Sequence, residues 1–283
     1  MPNLPPRSTW LPLVDAALAE DLGPGDATSL ALIEPDQKGE ARLEARGELV
    51  VCGLEIAREV FARRGVELEP RAADGDVVAP HAELARVRGS ALGILEAERT
   101  ALNFAQRLSG IATLTRRFCQ AVRGTRAEIV DTRKTTPGWR ALEKYAVRCG
   151  GGRNHRMALY DGILIKDNHI AAVGSVGLAV ARALERGSRH LRVRAEVESL
   201  AQAREALDAG ADSLLVDNQP PAVICAIVAA AKGRARIEAS GGVTLETVAA
   251  IARTGVDEIS VGALTHSAPA ADLALEWTAR SSS

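Results

Sequence analysis

Between Arg133 and Lys166 the chain reads RKTTPGWRALEKYAVRCGGGRNHRMALYDGILIK, with eight Lys or Arg against two acids, Glu143 and Asp161. That local excess of six sits in a chain of 35 basic and 36 acidic residues, net −1, so the remainder sums to −7. A concentrated positive field captures anions and speeds their arrival. Arginine offers a planar fork to carboxylate or phosphate, and lysine a movable point charge. The ordinary meaning of a charge run is a solvated basic face. Here, however, Arg133 and Lys134 follow Glu128-Ile129-Val130-Asp131, and Lys166 ends Gly162-Ile163-Leu164-Ile165. Cations placed where buried strands end are costly unless something anionic meets them.

Other apolar runs end in the same way. Glu196 lies in VRAEV (193–197), Asp217 closes SLLVD (213–217), Ser240-Gly241-Gly242 closes RIEAS (236–240) and Gly262 closes EISVG (258–262). Arg133, Lys134, Arg156 and Lys166, with His155, form a group suited to a substrate with more than one negative charge. Glu196 and Asp217 are carboxylates on neighbouring strands, a pair that binds sugar hydroxyls or a Mg²⁺ ion bridging a diphosphate. Ser240-Gly241-Gly242 and Val261-Gly262-Ala263 let backbone N–H groups approach a phosphate closely, as loops after late barrel strands do. Each feature alone is an ordinary strand end or turn. Together they call for a phosphosugar, a diphosphate with metal, and a polycarboxylate.

The elements that must position these residues follow from periodicity. After Glu128, short apolar strands alternate with alanine-rich helices such as Ala201 to Ala209 and Pro221 to Ala231. That alternation implies a parallel sheet, closed into a β/α barrel or left as an open doubly wound sheet. No GxGxxG opens a helix, which weakens a dinucleotide site. Upstream, residues 8–22 read as an amphipathic helix. Short strands follow at Ala41 to Glu44, Glu48 to Gly53, Val77 to Ala79 and Ala82 to Arg88, with a helix near Leu54 to Arg64. A long helix is expected from Ala91 to Val122, kinked or divided at Gly110. At 47% hydrophobic and 25% charged, the chain has an ordinary globular composition. A near-zero net charge and 3% aromatics give no reason to invoke nucleic acid or a membrane as partner. Cys52, Cys119, Cys149 and Cys225 form no CxxC pair, and no secretion signal or long apolar run accompanies them. A reduced, cytoplasmic protein with structural cysteines is expected. His81 and His190 read as surface or loop residues, and His169 as a cap.

The motifs have a counterpart. The segments Glu98-Arg99-Thr100-Ala101-Leu102-Asn103, Asp131-Thr132-Arg133-Lys134-Thr135-Thr136-Pro137-Gly138, Lys144 to Gly152, Asn154-His155-Arg156 and Ile163 to His169 are specific. With Glu196-Val197-Glu198, Leu215 to Asn218, Glu238 to Gly242 and Ile259 to Ser267, in that order, the chain resembles the quinolinate phosphoribosyltransferases, also called nicotinate-nucleotide pyrophosphorylases (carboxylating). It departs from the pattern at Met157-Ala158 and Gly162. The resemblance implies a mixed α/β domain over 1–115 that contributes to a dimer and to the substrate site. It implies a β/α-barrel-type, incomplete-barrel catalytic domain over 116–283, with a C-terminal helix packing back on the first domain. It also implies a reaction: quinolinate attacks C1 of 5-phosphoribosyl 1-pyrophosphate, pyrophosphate leaves with Mg²⁺ help, CO₂ is lost, and nicotinate mononucleotide forms for NAD biosynthesis.

Roles are implied residue by residue. Lys134, Lys166, Glu196 and Asp217 would be catalytic. Thr132, Arg133, Lys134, His155, Arg156 and Lys166 would hold quinolinate, with Arg99 entering from the partner of a homodimer or a higher oligomer. Glu196, Asp217, Ser240, Gly241, Gly242, Val261, Gly262, Ala263 and His266 would hold the phosphoribosyl group. Mg²⁺ would be bound mainly through the diphosphate, with Glu196 and Asp217 at hand. The competing readings are a homologous phosphoribosyltransferase of altered substrate, such as the molybdenum-associated paralogues, a non-catalytic phosphometabolite-binding barrel, and a Schiff-base aldolase built on Lys166.

Overall fold

The computed structural model describes residues 2–278, which divide into two compact units. The first holds residues 2–116, 135–151 and 265–278, and the second holds 117–134 and 152–264. In chain order the strands are Lys38–Ala45 (β1), Leu49–Val50 (β2), Glu67–Pro70 (β3), Val77–Val78 (β4), Glu83–Ser90 (β5), Glu128–Val130 (β6), Ile163–Ile165 (β7), Val193–Val197 (β8), Ser213–Asp217 (β9), Arg236–Ser240 (β10), Glu258–Ser260 (β11) and Leu273–Trp277 (β12).

The first unit is built on the antiparallel sheet β12-β1-β5-β3, with β2 and β4 forming a small second ladder. The C-terminal helix expected from the sequence is, over the described residues, the strand β12; residues 279–283 lie outside them. The reason is period two: Leu273 and Leu275 are buried while Ala274 and Glu276 are not, and Leu275 pairs opposite Leu43 of β1. The sequence points to a kink or a break at Gly110, and the helix Ala91–Ala121 is not divided there. Gly110 serves a close approach instead, because a Cβ there would collide with the carbonyl oxygen of Pro269.

The second unit is one parallel sheet in the order β6-β11-β10-β9-β8-β7, with β6 and β7 as unpaired edges. It is therefore an α/β sheet wound in barrel order and left open at one seam. Burial alternates along its strands. In β8, Val193, Ala195 and Val197 are buried on the face that meets helices such as Val176–Arg186, while Arg194 and Glu196 point the other way. The same alternation places Glu128, Arg194, Arg236, Glu238 and Glu258 on the inner face, where a barrel is usually filled with branched aliphatic side chains. They neutralise one another. Arg194 bonds Glu238 and, at 2.9 Å, Glu258; Arg236 reaches Glu128 and Glu258, each at 3.2 Å. At the seam, Arg153 N–H donates to Ile129 O (2.9 Å) and Asp131 N–H donates to Arg153 O (3.2 Å). The segment carrying His155 and Arg156 is thus added to the free edge of β6.

Substitution of Gly110 by alanine tests the close approach. Helix propensity alone would favour alanine by about 1 kcal/mol. Overpacking against a backbone carbonyl costs roughly 1–3 kcal/mol or more. A net loss of about 1–2 kcal/mol is expected in denaturant unfolding, and a gain in stability would show that Pro269 yields freely.

Candidate active site

The C-terminal ends of the parallel strands surround a cavity of about 360 Å³. Thr132, Arg133, Lys134, His155, Arg156 and Lys166 line it with Glu196, Asp217, Ser240, Gly241 and Gly242. Strand register explains the convergence. Ile165 pairs with Ala195, Asp217 with Ser240, and Val130 with Ser260, so the residues that follow emerge at one mouth.

On the cationic side the organising group is Asp131, fully buried at the end of β6. Its carboxylate accepts from His155 N–H at 2.9 Å and Asn154 Nδ2 at 2.6 Å, which fixes the 153–156 segment. Arg156 N–H donates to His155 Nδ1 at 2.7 Å, while His155 Nε2 lies 3.3 Å from Glu238 Oε2 and also against Arg194 Nη1. Both ring nitrogens of His155 are engaged within the protein. Arg156 is tied at one end, Nη1 donating to Gly162 O at 2.7 Å, while its Nε is buried with no hydrogen-bond partner among the described residues. Burial, and then the charges of Arg133 and Arg194, push its guanidinium below the ordinary arginine value, against the pull of Glu238 and Asp161. The departure at Gly162 belongs to this contact: a Cβ there would stand 3.1 Å from Arg156 Cδ.

Glu196 and Asp217 form the anionic side. Lys166 Nζ lies 3.7 Å from Glu196 Oε2. Burial raises the Glu196 carboxyl above the ordinary range, Lys166 opposes this, and Asp217, Asp167 and Glu198 add to it. Asn218 holds Asp217, its Nδ2 donating to Asp217 Oδ2 at 2.7 Å. Asn218 adopts a left-handed φ of 52°, which its short polar side chain tolerates, and its N–H donates to Ser240 O at 2.9 Å. Gly241 has φ 90°, and a Cβ there would collide with the Asn218 amide. That glycine is required by backbone and by space. His169 Nδ1 accepts from Lys166 N–H at 3.0 Å and so caps the helix Asp167–Val173.

Not every expected residue lines this cavity. Val261, Gly262 and Ala263 begin immediately after Ser260, which does line it. Arg99 and His266 belong to the first unit. Arg99 is exposed on the helix Ala91–Ala121, and no ion pair or hydrogen bond ties its guanidinium among the described residues. His266 is exposed, its Nδ1 2.5 Å from Ser267 Oγ. Sequence reasoning missed Glu238, Arg194 and Asn218. The alternation RIEAS and VRAEV carried the signal, since it puts Glu238 with Ser240, and Arg194 with Glu196, on one face.

The family model for the quinolinate phosphoribosyl transferase C-terminal domain matches residues 111–276, and that for the N-terminal domain matches residues 26–109. The chain belongs to the quinolinate phosphoribosyltransferase family. It is 42% identical over 268 residues to a probable nicotinate-nucleotide pyrophosphorylase (carboxylating) of Bacillus subtilis, covering 94% of this chain and 92% of that protein. It is 44% identical over 268 residues to the nicotinate-nucleotide pyrophosphorylase (carboxylating) of Mycobacterium leprae, covering 92% and 94% of the two. Among solved structures, the nicotinate-nucleotide pyrophosphorylase of Francisella tularensis superposes with a TM-score of 0.91 at 38% identity, over 96% of this chain and 97% of that one.

Within this family member the charge network under the cavity is testable at Glu238, which is 1% exposed. Burial pushes its carboxyl up, but the hydrogen bond from His155 and the charge of Arg194 outweigh that and hold it below the ordinary glutamate range. Glu238→Gln keeps the shape and removes the charge. Breaking a buried pair costs about 3–5 kcal/mol, and Arg194 retains Glu258, so a loss of about 2–3 kcal/mol is expected at pH 7. A carboxyl whose folded-state pKa is depressed stabilises fully above its unfolded value and loses that contribution as pH falls through the folded one. The gap between wild type and Glu238→Gln should therefore close in acid. A gap that stays constant through that window would show that the charge of Glu238 contributes nothing.

Proposed function

We propose that this chain transfers the phosphoribosyl group of 5-phosphoribosyl 1-pyrophosphate to the ring nitrogen of quinolinate, with loss of CO₂. The products are nicotinate mononucleotide and pyrophosphate. The observation that carries this reading is the two-sided cavity, with crowded guanidinium and ammonium groups on one wall and Glu196 with Asp217 on the other. Quinolinate brings two carboxylates to the first wall. The sugar, which becomes cationic as its C1–O bond breaks, belongs by the second.

This reading gives each group a role. Arg133 and Arg156 bind the quinolinate carboxylates, and the hydrogen bonds of His155 and Asp131 hold Arg156 in place. The ring nitrogen is flanked by an electron-withdrawing carboxylate and is a weak nucleophile, so orientation carries much of the rate. Lys166 stands between the two walls beside Glu196, and Lys134 joins it at the cationic rim. Glu196 and Asp217 face the ribose, where fixed negative charge stabilises the oxocarbenium-like transition state. When the carboxylate at C2 departs as CO₂, its electron pair stays on C2, stabilised by the adjacent cationic ring nitrogen, and a proton then adds to that carbon. Backbone N–H groups of Ser240 to Gly242 and Val261 to Ala263 serve the 5′-phosphate.

Magnesium fits the donor set. Glu196 and Asp217 are neighbouring carboxylates, and after burial the charge of Asp217 adds to the cost of ionising Glu196. Among the described residues no third His, Cys, Asp or Glu closes with them into a cluster. A hard cation that keeps waters and takes substrate oxygens suits such an open pair. Bound with the diphosphate, it would neutralise the leaving group. We also place the protein in a cytoplasm. All four cysteines are free thiols, as a reducing compartment requires. No helix among the described residues is long and apolar enough to cross a membrane.

CO₂ release from 2-carboxyl-labelled quinolinate is expected only when phosphoribosyl donor and Mg²⁺ are both present; equal release without the donor, or none at all, would overturn the assignment. Arg133→Ala or Arg156→Ala should weaken quinolinate binding by roughly 2–4 kcal/mol, the cost of one lost fork to a desolvated carboxylate. Unchanged affinity would remove the residue from the site.

Arg99 gives a test of assembly. We propose a homodimer in which the exposed Arg99 of one chain completes the quinolinate site of its partner, each chain lending one arginine and receiving one. Arg99→Ala and Lys166→Ala homodimers should both be nearly inactive. Mixed and allowed to exchange, they should form heterodimers with one intact site, and activity should return. Exchange without recovery would place Arg99 in its own chain's chemistry or in none.

A further inference from the structure

Four side chains with no part in the proposed reaction converge inside the first unit. Cys52 follows β2, Asp74 lies between β3 and β4, and Tyr145 and Cys149 belong to the helix Arg140–Cys149. The Sγ atoms of Cys52 and Cys149 and a carboxylate oxygen of Asp74 all lie within 4.8 Å of one another. Among the described residues no other His, Cys, Asp or Glu set closes in this way. Both thiols are buried, Cys52 at 0% and Cys149 at 6% exposure. Tyr145 Oη donates to Asp74 Oδ2 at 2.9 Å.

Helix capping explains Asp74 in part. Its Oδ2 accepts from Gly53 N–H at 3.0 Å and its Oδ1 from Leu54 N–H at 3.1 Å, at the start of the helix Leu54–Ala62. Those bonds fix the carboxylate and leave a lone pair on Oδ1. Capping does not explain why two thiols face it. Packing alone favours placing a buried acid away from other ionisable groups. Burial pushes the Asp74 carboxyl and the Cys52 thiol up, while a hydrogen bond from Cys52 draws the Cys149 thiol down. Acidic donors are crowded together here, and the cation acting on them is the neighbouring Arg148.

We propose that Cys52, Cys149 and Asp74 form a buried structural site for a thiophilic divalent cation of the zinc class. Two thiolates and a carboxylate match the preference of such an ion, and closed, water-poor sites are where it acts structurally. Tyr145 Oη or a water supplies the fourth position. Metal–sulfur bonds of about 2.3 Å require ligand atoms roughly 3.5–4 Å apart, so the observed set needs only a small contraction. The hydrogen bonds from Gly53, Leu54 and Tyr145 to Asp74 are the outer bonds that orient a ligating carboxylate. The consequence lies in the chain order. Cys149 directly precedes Gly150-Gly151-Gly152, which lead to Asn154, His155 and Arg156. An occupied site would pin the start of that segment to the loop after β2.

The test uses the full chain in a Cys119→Ser/Cys225→Ser background, which removes the other two thiols, reduced and freed of metal. Titration with Co²⁺ should give one ion per chain, with thiolate-to-cobalt charge-transfer bands and tetrahedral d–d bands that Zn²⁺ displaces. Cys52→Ser or Cys149→Ser should abolish the two-thiolate spectrum, and Asp74→Asn should weaken binding at least tenfold. Native mass spectrometry of the folded background protein gives the stoichiometry independently, should a variant fail to fold. Absence of charge-transfer bands at saturating Co²⁺ would overturn the proposal. So would bands that persist in Cys52→Ser/Cys149→Ser, or a Cys52–Cys149 disulfide in purified protein that takes up no metal once reduced. None of these outcomes bears on whether the chain transfers phosphoribosyl groups.

Discussion

The structure depends on neutralising Glu238 inside a sheet that never closes. A carboxylate 1% exposed, on the concave face of a parallel sheet, must be met by cations and hydrogen bonds or it would not remain ionised. Arg194 meets it from β8 and His155 from the segment added at the seam. The network continues through Glu258 and Arg236 to Glu128, linking four of the six strands. An aliphatic interior would be cheaper. The charged one fixes the orientation of His155, and His155 accepts from the backbone of Arg156, so an ion-pair ladder below the cavity is transmitted into the placement of a cavity-lining cation above it.

The open seam has the same logic. If β6 and β7 paired, the free edge of β6 would be consumed and Asp131 would sit at an ordinary strand end. Instead Arg153 takes that edge through two backbone hydrogen bonds, and Asp131 collects Asn154 and His155. A gap in the barrel order is thereby used to bring a loop to the site with the rigidity of a strand.

Much of this was legible in the sequence, and the boundary of legibility is physical. The strands β6 to β11 were readable because short apolar runs between alanine-rich helices have few other solutions, and the residues at their ends followed. β12 was not read as a strand because five residues, LALEW, fit either period, and only its pairing with β1 decides. Gly110 does not divide its helix, and its reason, the close approach of Pro269 from far along the chain, could not be read from the sequence. Glu238 and Arg194 sat in recognised strands, but their partners lie on other strands, and pair formation across a sheet is not written in either segment. Asn218 was quoted within a motif, while its positive φ and its hold on Asp217 needed coordinates.

The departures from neutrality are the most instructive part of the site. Below the cavity Arg194 and Arg236 are paired with Glu128, Glu238 and Glu258; at its walls two groups carry shifts that burial imposes. Arg156 is driven below the ordinary arginine value by burial and by neighbouring arginines, and Glu196 above the ordinary glutamate value by burial and by Asp217. Either shift alone marks a cost to the folded chain. Had Arg156 and Glu196 been brought together, each would have relieved the other. Both line the cavity, but the ion pair at Glu196 is with Lys166, at 3.7 Å. The proposed ligand pair, with carboxylates at one end and a sugar becoming cationic at the other, would relieve both groups at once. Relief on the second wall grows as the C1–O bond breaks, and interactions that strengthen toward the transition state are the ones that accelerate a reaction.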